Sequence, residues 1–85
     1  MRVVSQDRCE SFDFDRTMFW RQDGIIYAHI VGDTRDRVVG NYKSEERAAE
    51  VFDYMHNLYN RYNYLFEKDV PVSAGEHYVF YMPEE

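Results

Sequence analysis

The apolar positions along the chain repeat with a period of two, then of 3.6, then of two again, and each change marks a new kind of element. Ser11-Phe12-Asp13-Phe14-Asp15 alternates strictly, both Phe on one side and both Asp on the other, as a half-buried strand does. Thr17-Met18-Phe19-Trp20-Arg21 and the run from Ile25 to Val31 are strand-like and flank Asp23-Gly24. Asp-Gly between such runs predicts a hairpin with a type I′ turn, whose two central residues both need positive φ. A polar turn over 32–36 leads into Arg37-Val38-Val39-Gly40-Asn41-Tyr42, where Gly40 predicts a bulge or a close backbone approach. At the start, Arg2 to Ser5 reads as a short strand and Gln6 to Cys9 as a turn.

From Ser44 the period becomes helical. Ala48, Val51, Phe52, Met55, Leu58, Tyr59, Tyr62, Leu65 and Phe66 recur at helical spacing and fall within a sector of roughly 140°. Ser44 is placed to cap the helix N-terminus, and Glu45 and Glu46 put negative charge at the positive end of its dipole. Arg47 occupies the third helical position, so the reciprocal capping box is absent. A helix over 44–66 spans about 34 Å, long enough to organise a domain of this size. After a loop with Pro71 and Gly75, His77 to Met82 forms a last strand, apolar on both sides. That pattern predicts cover on both faces, as an interior strand or against a second chain. The order predicts an α+β fold in a single domain, 1–85. It has a mostly antiparallel sheet of about four to six short strands, one long amphipathic helix on one face and a C-terminal strand.

Composition narrows the class. Cys9 is the lone cysteine, which excludes an internal disulfide. No run approaches the roughly 20 apolar residues of a membrane span, and no apolar run follows a basic start. The expectation is therefore a cytoplasmic protein that does not associate with membranes. The net charge of −6 is unevenly spread: residues 69–85 carry four acidic side chains and no basic ones, whereas residues 1–43 balance seven against seven. Direct nucleic-acid binding is disfavoured, since it needs a clustered basic face. Aromatic residues make up 18% of the chain, more than a small core hides, and surface Tyr is a common contact residue.

Candidate chemistry is sparse. The glycines are scattered and none opens the helix, which argues against a phosphate-binding loop. A cysteine nucleophile needs an activating base, and the neighbour of Cys9 is the acidic Glu10. Asp53, His56 and Asn60 share a helix flank and have the acid-x-x-His spacing of half a metal site. The simpler reading is a boundary His bonded to Asp53. Asp13 and Asp15 share a strand face, where paired carboxylates can bind a cation, although alternation with Phe12 and Phe14 already accounts for them. His29 and His77 lie in separate strands. No catalytic residue, metal ligand or cofactor is assigned.

Three stretches carry a family resemblance. Met1-Arg2-Val3-Val4-Ser5-Gln6-Asp7 opens the chain, Asn41-Tyr42-Lys43-Ser44-Glu45-Glu46-Arg47-Ala48-Ala49-Glu50-Val51-Phe52 enters the helix, and Val79 to Glu85 closes it. Together these resemble small proteins encoded by prophages and mobile elements of Gram-positive bacteria. Those proteins begin with a similar Met-Arg-Val-(Ile/Val)-Ser-Gln-Asp string. Arg8 departs from the pattern, which usually has Gly there, and this puts a tight first hairpin in doubt. The resemblance implies a mobile-element context and supplies no activity.

The expected function is a non-enzymatic protein-interaction module. Its candidate contact residues are Trp20, Tyr54, Tyr64, Tyr78 and Tyr81, and a second copy of the chain is one candidate partner, as a homodimer. The alternative is an acidic mimic of nucleic acid that inhibits a host defence or DNA-handling protein through Glu46, Glu50, Asp53 and the C-terminal acids.

Overall fold

The computed structural model describes residues 1–67 and 79–85, with side chains described over 1–61 and 79–85. The elements run β1 (Arg2–Val4), β2 (Ser11–Asp13), a 3-10 turn (Phe14–Arg16), β3 (Thr17–Gln22), β4 (Ile25–Ile30), β5 (Arg37–Asn41), α1 (Glu45–Glu67) and β6 (Val79–Tyr81). The fold is α+β, with the long helix and the C-terminal strand in the expected places. The strands divide into two three-stranded sheets, ordered β2-β1-β6 and β3-β4-β5. Pairing is antiparallel except between β1 and β6, which run parallel.

Local sequence explains most elements. Asp23 and Gly24 have φ of 53° and 82°, so the hairpin between β3 and β4 turns as Asp-Gly predicts. A register shift opposite Ile26 and Tyr27 leaves Val39 as the extra residue of a bulge in β5. Gly40 is also a close approach: a Cβ there would stand 2.7 Å from the Tyr42 ring and 3.1 Å from the Met82 methyl. Ser44 Oγ accepts the Arg47 N–H at 3.1 Å, the predicted cap of α1.

Two strand expectations are corrected. The alternation over Ser11 to Asp15 stops at Asp13, because the Asp13 carboxylate accepts the Asp15 N–H at 3.1 Å and turns the chain into the 3-10 turn. Phe14 then leaves the strand and stacks on Tyr59 with ring centroids 4.0 Å apart. The last strand is described over Val79–Tyr81, with His77 and Tyr78 outside the described residues. Among the described residues it is an edge strand rather than an interior one: Phe80 and Met82 are buried, while Val79 and Tyr81, on its outer side, are exposed.

One core unites the parts. Val3, Phe12 and Phe80 from the first sheet meet Ile26, Ala28 and Val39 from the second, with Ala48, Val51 and Met55 of α1. The helix packs on β3 and β4. The hairpin turn is clamped to the helix start. Glu45 accepts the Gly24 N–H at 2.6 Å and pairs with Arg21, and Gly24 O accepts the Tyr42 N–H at 2.8 Å. The Gly24 bond, with the Arg21 guanidinium beside it, holds the Glu45 carboxyl below its ordinary value. Across the sheets, Gln6 bonds both main-chain groups of Asn41 and the Glu84 carbonyl.

Three stability outcomes follow. Gln6→Ala removes three side-chain hydrogen bonds and lowers unfolding free energy by about 2 kcal/mol in urea titration. Ser44→Ala costs about 1 kcal/mol in the same assay. Because the Glu45 pKa is depressed on folding, its contribution is full above 4.5 and lost as pH falls below it. The stability gap between wild type and Glu45→Ala, followed by urea titration, therefore holds from neutral pH down to 4.5 and narrows as pH falls further.

Candidate functional site

Strand alternation and pairing define two faces of the β3-β4-β5 sheet. Phe19, Arg21, Ile26, Ala28 and Ile30 point to the core and α1. Met18, Trp20, Ile25, Tyr27, His29 and Val38 point the other way. On that outer face Trp20 pairs with Tyr27, and Tyr27 with Val38, to make one row across all three strands. The Trp20 and Tyr27 rings stack at 5.4 Å with planes 17° apart. Both are half-buried by each other and by their neighbours. Met18 and Val38 are 61% and 53% exposed, and among the described residues no element packs over this face. His29 borders it, its Nδ1 3.0 Å from the Asp36 carboxylate at the rim.

The other described candidate contacts lie elsewhere. Tyr54 is 58% exposed and its ring edges toward Phe80 at 5.8 Å. It ends an open groove of about 370 Å³ that Arg47, Glu50, Val51 and Pro83 also line. Tyr81 is 58% exposed on the outer side of β6, with the Arg8 guanidinium 5.3 Å above its ring. Trp20 is thus separated from Tyr54 and Tyr81 by the core and belongs to a different surface. The Tyr64 side chain and all of Tyr78 lie outside the described residues.

The sequence singled out Trp20 and passed over Met18, Tyr27 and Val38, its neighbours on the outer face. The missing signal was cross-strand register. The Asp-Gly turn already implies it, since a two-residue turn sets Gln22 opposite Ile25 and, counting back, Trp20 opposite Tyr27.

The chemical constellations resolve into structural roles. His56 donates its Nδ1–H to the Phe52 carbonyl at 2.8 Å, one helical turn back, rather than bonding Asp53. Its ring packs on Phe52 and Phe14, which explains a histidine at the border of the apolar stripe. Asp13 caps the 3-10 turn. Cys9 is exposed in the first turn. Among the described residues no three His, Cys, Asp or Glu side chains come together as metal ligands. No described helix is long and apolar enough to cross a membrane.

The fold and surface define an α+β protein with an aromatic sheet face that is uncovered among the described residues. No protein-family model matches the chain, and neither curated proteins nor solved structures yield a match.

The outer face is separable from folding. Met18→Glu with Val38→Glu, both at exposed positions, shifts Tm by no more than a few degrees. Met55→Ala, in the core, costs about 2–5 kcal/mol. Thermal and urea unfolding of the two variants check the contrast.

Proposed function

We infer that the protein is a non-enzymatic interaction module, of mobile-element type, which docks a protein partner on the outer face of the β3-β4-β5 sheet. The observation that carries this reading is the apolar row Trp20–Tyr27–Val38 with Met18 beside it, open among the described residues. Aromatic and Met side chains on a rigid sheet supply contact area at low entropic cost, and they are enriched where proteins meet. Tyr54, at the groove beside α1, and Tyr81, on the outer side of β6, are smaller and separate contact candidates.

The acidic-mimic alternative draws on Glu46, Glu50 and Asp53, all exposed on the outward side of α1. Much of the remaining acid is committed within the chain. Glu45 holds Gly24 and Arg21, Glu10 and Asp33 hold Arg37, and Glu50 itself pairs with Arg47. A nucleic-acid mimic needs a continuous run of free carboxylates, so the aromatic face is the better supported site.

Affinity capture from a Gram-positive host lysate with immobilised wild type and Met18→Glu/Val38→Glu tests the assignment. Proteins retained by wild type are lost from the variant. Equal capture by both overturns the sheet-face reading. Loss on Glu46→Lys/Glu50→Lys/Asp53→Lys instead, with strong salt sensitivity, supports the mimic.

A further inference from the structure

We propose that a second copy of this chain closes the outer face of the β3-β4-β5 sheet, the two copies packing sheet to sheet about a two-fold axis. This rests on the reading of that face as a docking surface and names its occupant. Charge selects it. The chain carries −6, so two copies repel wherever their acidic surfaces meet. The outward positions of β3, β4 and β5 hold no carboxylate, lysine or arginine, and Asp36 stands only at the rim beside His29. A strongly charged partner finds no countercharge on this face and would strand its own charges there. The same face of another copy is neutral and apolar, and so matches it.

The other outer surfaces lack this property. On the first sheet Arg2 pairs across from Asp13, and the outward side of α1 presents Glu46, Glu50 and Asp53. A two-fold contact through that side of α1 sets carboxylates against carboxylates.

Shape and area set the strength. Packed sheets lie about 10 Å apart with strands turned by about 30°, which lays the flat Trp20–Tyr27 stack of one copy across that of the other. Three strands about 4.8 Å apart and five or six residues long present roughly 300 Å² of plane per copy. A standard interface buries about 800 Å² per partner, so the dimer is weak and reversible. It forms at concentrations of about 0.1–1 mM.

Trp20 is the one tryptophan in the chain and lies within the proposed contact, so its fluorescence reports on that face alone. Sedimentation equilibrium of the full chain from about 0.02 to 2 mM, read beside Trp20 emission, tests the proposal. For wild type the average mass climbs from 10.3 kDa toward twice that value, and emission shifts to the blue over the same range. Met18→Glu/Val38→Glu stays at 10.3 kDa without the shift, while Tyr54→Glu/Tyr81→Glu behaves as wild type. A wild-type monomer at the top concentration overturns the proposal. So does association that Met18→Glu/Val38→Glu leaves intact, or that proceeds with Trp20 emission unchanged. A monomer whose lysate capture is still lost in Met18→Glu/Val38→Glu overturns the second copy as occupant and leaves the interaction reading standing. Equal capture by variant and wild type removes that reading independently.

Discussion

The two-sheet arrangement depends on the turn from Ser5 to Glu10. This turn closes the β1–β2 hairpin of one sheet, yet its side chains hold the other sheet and the C-terminal segment. The Gln6 amide takes the place of a neighbouring strand: its oxygen accepts the Asn41 N–H at 2.8 Å and its NH₂ reaches the Asn41 carbonyl at 3.2 Å. Its own N–H donates to the Val39 carbonyl at 2.8 Å. Glu10 pairs with Arg37, which also binds Asp33 in the loop before β5. Arg8 takes a left-handed φ of 65°, at a cost of about 1 kcal/mol. Its guanidinium offsets that cost by donating to the Met82 and Ser5 carbonyls. Hydrogen bonds from the Ser5 hydroxyl and the Cys9 N–H keep the Asp7 carboxyl below its ordinary value. The Asp7 carboxylate is therefore charged and hydrogen-bonded at neutral pH.

This explains why a short opening string carries structural weight. Met1, Val3 and Ser5 are buried, Gln6 joins the sheets, and Asp7 rigidifies the turn. The departure at Arg8 does not abolish the tight hairpin. Arg occupies the left-handed position that suits Gly and adds two bonds that Gly could not make.

Local rules made the helix, its cap, the Asp-Gly hairpin and the Gly40 bulge legible, because each depends on neighbours within a few residues. The division into two sheets was not legible. It turns on Gln6 reaching residues 35 and 78 positions away, and on β6 returning parallel to β1. Neither leaves a periodic trace. Asp13 was readable as a strand residue or as a cap, and the cap won because its carboxylate finds the Asp15 N–H. The candidate site was half legible. Trp20 stood out by type, but its row with Tyr27 and Val38 needed register, and β4 alone, with apolar residues on both sides, does not say which side the helix covers.

Folding does not require an apolar outer face on the second sheet. An antiparallel sheet packed on one side commonly alternates apolar-in with polar-out, and Thr, Lys or Glu at Met18, Trp20, Tyr27 and Val38 would leave the core unchanged. The inner face already supplies Ile26, Ala28 and Val39 to a core completed by α1 and the first sheet. An aromatic row beside an edge of β3 that is unpaired among the described residues instead carries an aggregation risk, which a polar row would remove. The net charge of −6 limits that risk by disfavouring contact through the acidic outward side of α1, whereas this face holds no carboxylate. Apolar residues gathered where charge is missing leave this face without the like-charge repulsion that the acidic side of α1 carries. Core packing does not account for these four side chains, and that surplus is the physical ground on which the face is proposed as a contact surface.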